Sequence, residues 1–127
     1  MAKITQLTVS AESKPGVLAR VCNALAGAGV NIVAVSAGDS AGRGKIRLVV
    51  SDMARARQAL GAAKIRTGEE PAVMVTMDDR PGALADAASR LAAAKINIKC
   101  AYATTASGRA QVVIVVANPD KAERALA

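Results

Sequence analysis

The apolar positions change period along the chain, and each change marks an element. Ile4, Leu7 and Val9 give a short strand over residues 4–10 with imperfect alternation. From Pro15 the spacing turns helical, with Leu18, Val21, Cys22, Leu25 and Ala28 on one face. A proline at the first helical position gives up an N–H that would be unpaired anyway, so Pro15 is expected to open this helix. Gly27 and Gly29 are expected to end it. Asn31 starts a second strand over 32–37, which turns through the Gly-rich segment 38–44 into a third strand over 45–50. Asp52 caps a second helix over 53–62, and a last strand follows near 64–68.

The same pattern then repeats. Shifting the sequence by 66 positions aligns it with itself without a gap, with 18 identical residues over the 54 positions from Leu7 to Leu60. Among the identities are Pro15/Pro81, Gly16/Gly82, Leu25/Leu91, Asn31/Asn97, Ile32/Ile98 and Gly42/Gly108. So many matches exceed compositional chance even in an Ala-rich chain. The chain is a duplication, with modules expected at 1–69 and 70–127.

Strand, helix, strand, strand, helix, strand is the split βαβ plan. Right-handed crossovers then dictate an α+β fold: a ferredoxin-like βαββαβ module whose antiparallel sheet has the order 4-1-3-2, with both helices on one face. The second copy stops at Ala127, in or just after its second helix, so it lacks its last strand. Its first strand, over 72–77, would present an uncovered apolar edge. A strand from another chain, a strand from the first module, or further natural sequence would each cover it.

Charge and composition narrow the function. The net charge is +7, and all of the excess lies in residues 1–66, with ten Lys/Arg against three Asp/Glu. That half carries either a solvated basic surface or a docking face for an acidic partner. With one Tyr and no Phe or Trp, the chain lacks stacking platforms, so nucleic acid is not an expected partner. There is no His, and Cys22 and Cys100 read as reduced core thiols rather than zinc ligands or a disulfide. No metal and no cofactor are expected. No stretch approaches the roughly 20 apolar residues of a membrane span, and no secretory pattern opens the chain. A cytoplasmic protein is expected.

Catalysis is not expected either. Adjacent Asp78 and Asp79 would point to opposite faces of a strand rather than form a dyad. Glu69 and Glu70 sit beside Pro71 and read as a linker. Neither cysteine has a His partner to activate it, and the glycines of 38–44 join two strands instead of opening a helix as a phosphate loop does.

Pro15-Gly16 followed by Asn31-Ile32, and again Pro81-Gly82 followed by Asn97-Ile98, carry a family resemblance. A Pro-Gly turn after a strand, an apolar helix, then Asn-Ile opening the next strand resembles the ACT domain. Nearly the whole chain is covered, as in small free-standing tandem ACT proteins. The resemblance implies binding of a free amino acid or similar small molecule, and a homodimer formed by sheet or helix pairing. The candidate ligand-binding residues are Ser13, Pro15, Gly16, Val17, Leu18, Asn31 and Ile32, with Asp79, Pro81, Gly82, Ala83, Leu84, Asn97 and Ile98.

The residues suit that role. A helix N-terminus after a glycine turn offers free N–H groups and a positive dipole end to a carboxylate. The Pro-Gly pair also reads as no more than the turn this reversal needs. In the split βαβ plan the Pro-Gly loop and the Asn lie at opposite ends of one module. Composite sites are therefore expected, loop 13–18 with Asn97 and loop 79–84 with Asn31, within one chain or between two. Ligand-binding family members often carry Asn two residues before the proline and His two earlier; here Ser13 and Ala11, then Asp79 and Met77, hold those places. Asp79 is a candidate acceptor for a ligand's ammonium group, or an acid that simply favours a helix N-terminus. The expected function is a stand-alone amino-acid sensor. The alternative is a protein–protein adaptor, or a regulatory subunit of an enzyme partner, with non-functional ligand sites.

Overall fold

The computed structural model describes residues 1–127. Ten elements follow one another: β1 (Ala2–Glu12), α1 (Val17–Gly27), β2 (Ile32–Ser40), β3 (Arg43–Val50), α2 (Met53–Ala62), β4 (Gly68–Asp78), α3 (Ala83–Ala93), β5 (Cys100–Ala106), β6 (Arg109–Val115) and α4 (Pro119–Leu126). They form two compact units, Gln6–Glu69 on the one hand and Met1–Thr5 with Glu70–Ala127 on the other. Each is a ferredoxin-like α+β module, as the periodicity requires.

In the unit Gln6–Glu69 the strands run in the order β2, β3, β1, with the start of β4 beside β1, which is the expected 4-1-3-2. Alternation decides which face is buried: Leu7 pairs with Leu48 and Val9 with Ile46 across the β1–β3 ladder, and all four point into the core. Val21 and Leu25 of α1, Ala56 and Leu60 of α2, and Val30 and Ile65 complete it. Each large aliphatic side chain so buried contributes about 1.5–3 kcal/mol relative to exposure. Gly68 must be glycine here, because a Cβ would stand 2.8 Å from Thr8 Oγ1.

The other unit solves the missing-strand problem from within the chain. Its order is β1, β4, β6, β5, where β1 contributes only its first residues, 2–5. The chain's own start thus takes the place of the absent last strand and pairs the apolar edge of β4. Lys3 fixes this segment by an ion pair with Asp120 in the first turn of α4, Nζ to Oδ1 at 2.6 Å. Val73, Leu91, Val112, Ile114, Val116 and Ala122 form the core.

Several sequence expectations need correction. Residues 1–5 group with the second unit, not with 6–69. Pro15 does not open α1: Gly16 is the N-cap, at φ 92°, and the helix begins at Val17. The strand expected near 64–68 does not form over 64–67, where the chain turns through Lys64 at positive φ; one strand, β4, instead runs from Gly68 to Asp78, so Glu69, Glu70 and Pro71 are strand residues and not a linker. Pro71 is accommodated because the β4–β6 ladder starts one residue later, at Ala72 paired with Val115. Asn97 and Ile98 do not open a strand; β5 begins at Cys100. Both hairpins turn on two residues at positive φ, Ala41-Gly42 and Ser107-Gly108, the geometry that matches strand twist. Cys22 and Cys100 are free and only half-buried.

Candidate functional site

Each Pro-Gly loop is anchored to the hairpin beside it by the same backbone bond. The Ser13 N–H donates to Gly42 O at 2.9 Å, and the Asp79 N–H donates to Gly108 O at 3.0 Å. The loops then reverse through Gly16 and Gly82, at φ 92° and 89°, conformations that L side chains rarely adopt. No side chain caps α1 or α3. In α3 the Ala83 N–H donates to the Arg80 carbonyl at 3.3 Å, and no side chain takes the N–H groups that follow. By contrast Asp52 caps α2 and Asn118 caps α4, accepting from the N–H of Arg55 and Lys121.

A cleft opens beside each loop, between the helix start and the sheet. In the unit Gln6–Glu69 it encloses about 260 Å³ over a floor of Val9, Val17, Leu18 and Ile46. Glu12, Ser13, Lys14 and Asp39 rim it, and Ser13 Oγ donates to Asp39 Oδ2 at 2.6 Å. The cleft of the other unit encloses about 310 Å³ over Val75, Met77, Ala83 and Leu126. Its rim is far more charged: Asp78, Arg80, Asp86, Arg90 and Arg109. Asp78 pairs with Arg109 across the β4–β6 ladder, and Asp86 with Arg90 one turn along α3 at 3.3 Å.

The candidate residues distribute unevenly around these clefts. Ser13, Val17 and Leu18 line the first, and Ala83 lines the second. Gly16 and Gly82 shape the loops, with Pro15 and Pro81 exposed before them. Asp79 and Leu84 are exposed and lie outside the second lining, which takes Asp78 and Arg80 instead. Asn31 shares no cleft with loop 13–18; its N–H donates to Ser51 Oγ and its carbonyl accepts from the Ser51 N–H, each at 2.9 Å. Asn97 lines a separate cleft with Lys95, Lys99 and Lys121. Ile32 and Ile98 pack against the two cores. The sequence reading missed Glu12, Asp39, Arg80, Asp86, Arg90 and Arg109; only the i,i+4 spacing of Asp86 and Arg90 signals a pair in advance.

A further cleft is basic. Arg43, Lys45 and Arg47, at alternate positions of β3, line a shallow cleft of about 340 Å³ with Ser36 and Ser40. No group of three or more His, Cys, Asp or Glu residues could hold a metal ion. No helix is long and apolar enough to cross a membrane.

Fold and loops together define a pair of ferredoxin-like α+β modules with matching Pro-Gly loops. The family model described as the ACT domain pair matches residues 2–127, and the chain belongs to that family. Among solved structures it is similar to protein BT0572 from Bacteroides thetaiotaomicron, at 31% identity and a TM-score of 0.91, covering 98% of this chain and 86% of that one. It shares its fold with the ligand-free regulatory subunit of aspartate kinase from Thermus thermophilus, at 23% identity and a TM-score of 0.75, covering 98% of this chain and 91% of that one. The aspartokinase alpha and beta subunits match at 19% identity and a TM-score of 0.70, covering 98% and 90%. No curated protein matches the chain. ACT domains bind small molecules such as amino acids, and the chain is homologous to such regulatory domains.

Proposed function

We propose that this chain is a stand-alone amino-acid sensor that holds its ligand in the clefts beside the two Pro-Gly loops. The observation that carries the reading is the repetition of one device: an anchored loop, a left-handed glycine and an uncapped helix start above an apolar floor. A ligand's carboxylate would accept from the N–H groups after Gly16 or Gly82, favoured by the helix dipole. Its side chain would lie on Val9 and Ile46 in one unit, or Val75 and Met77 in the other. Asn31 and Asn97 keep the role of closing a cleft from a second module or a second copy of the chain.

The reading includes a homodimer acting in the cytoplasm. Edge strand β2 carries Val33 and Val35 about half exposed, which suits pairing with a second copy, and two free thiols suit a reducing compartment. Ligand acts by favouring one arrangement of the modules over another, in proportion to its differential affinity. Thermal-shift measurements across the twenty amino acids at millimolar concentration test the reading: one or a few should raise the melting temperature, and none doing so would refute it. The second reading, an adaptor with silent clefts, is favoured by the basic row Arg43, Lys45 and Arg47. It predicts salt-sensitive capture of an acidic enzyme partner that amino acids do not affect.

A further inference from the structure

The cleft that holds Asn97 lies outside both Pro-Gly clefts and shares no residue with either. It encloses about 310 Å³, within the range of roughly 300–1,000 Å³ usual for small-molecule sites. Three ammonium groups, those of Lys95, Lys99 and Lys121, line it together with the carboxamides of Asn97 and Asn118. No Asp or Glu is part of the lining.

The duplication shows that the fold does not require this charge. Under the 66-residue shift Lys95 corresponds to Gly29, Lys99 to Val33, Lys121 to Arg55 and Asn118 to Asp52. The first copy thus sets one cation against one carboxylate there, with Arg55 and Asp52 paired at 3.9 Å. The second copy sets three cations against none. Asp52 and Asn118 both cap their helices through Oδ1, so the carboxamide keeps the cap and removes only the negative charge. Asp120, two residues on, is held by Lys3 at 2.6 Å. Lys95 sits at φ 60°, where its counterpart Gly29 takes 71° without strain, so a lysine occupies a position that suits glycine better.

We infer that this cleft binds a phosphoryl group, carried by inorganic phosphate or pyrophosphate or by a small organic phosphate. A phosphoryl group concentrates close to two negative charges on a few oxygens. Ammonium groups meet such an anion as mobile point charges, and three of them match its charge. A lone carboxylate is better matched by a guanidinium fork, and the cleft has none. The two carboxamides add N–H donors at no cost in net charge. The site is separate from the Pro-Gly clefts, so it stands whether or not those hold an amino acid.

Calorimetric titration of the full chain with pyrophosphate, inorganic phosphate and glycerol 3-phosphate, at low and high salt, is the test. At least one probe should bind saturably, one per chain, at low salt and more weakly as salt is raised. Tightest binding of glycerol 3-phosphate supports an organic phosphate as the ligand, and tightest binding of either other probe an inorganic one. Lys99→Gln and Lys121→Gln should each weaken the favoured probe about tenfold. Arg43→Gln, in the other basic cleft, should leave it unchanged. Lys95→Gly should also weaken it without lowering the melting temperature, since glycine suits that backbone, and so separates lost binding from lost structure. No saturable binding at low salt, or binding that the three lysine variants leave unchanged, would overturn the inference.

Discussion

Lys3 Nζ lies 2.6 Å from Asp120 Oδ1, joining residues 117 positions apart. The contact ties the first strand of the chain to its last helix inside one unit. Its hydrogen bond, and then its charge, raise the Lys3 pKa and lower that of Asp120. Asp120 therefore contributes stability above the ordinary carboxylate pKa, which is lost as pH falls through its lowered value. Lys3 contributes below the ordinary lysine pKa, and that share is lost as pH rises through its raised value. Both side chains are at least half exposed, so salt screens the pair. Melts of Asp120→Asn and Lys3→Gln should fall below wild type at neutral pH and low salt, and converge with it in acid and at high salt.

Removing residues 2–5 should do more than break this pair. It strips the neighbour from β4 and leaves the strand's edge open, a template for pairing with another chain. Light scattering after gel filtration should show concentration-dependent association absent from the intact chain.

Gly16→Ala and Gly82→Ala test the loops. Nothing lies within 4 Å of a Cβ at Gly16, and only the mobile end of Arg80, at 3.8 Å, meets one at Gly82. The cost is thus backbone strain, about 1–2 kcal/mol each in urea unfolding.

Leu25 and Leu91 hold equivalent places in the two cores and are both fully buried. Truncating either to Ala should cost about 2–5 kcal/mol. Asp52→Ala and Asn118→Ala should each cost about 1 kcal/mol, because each removes the one side chain that caps its helix.

How much of this is legible in the sequence depends on whether neighbours in the chain or neighbours in space decide. The second helix, Met53–Ala62, is legible to its bounds because Asp52 caps it locally. The order of strands in the unit Gln6–Glu69 follows from the βαββαβ plan, whereas the placing of residues 2–5 beside β4 does not. β4 is not legible as one strand, since Pro71 and two glutamates interrupt its apolar pattern. It persists because Thr8 flanks its start and Val115 pairs just past the proline. The N-terminal shift from Pro15 to Gly16 is a matter of one φ angle. Of the site, the Pro-Gly loops are legible and the rims are not: Asp39 reaches Ser13, and Arg109 reaches Asp78, only through hairpin register.

The central claim is that amino acids bind where Gly16 and Gly82 turn the chain. Amide NMR of the labelled protein, titrated with the amino acids that raise its melting temperature, tests this most directly. Saturable shifts should centre on the N–H groups of residues 16–18 and 82–84, with the cores at Leu25 and Leu91 unmoved. Saturable shifts centred elsewhere, or none at millimolar ligand, would contradict it.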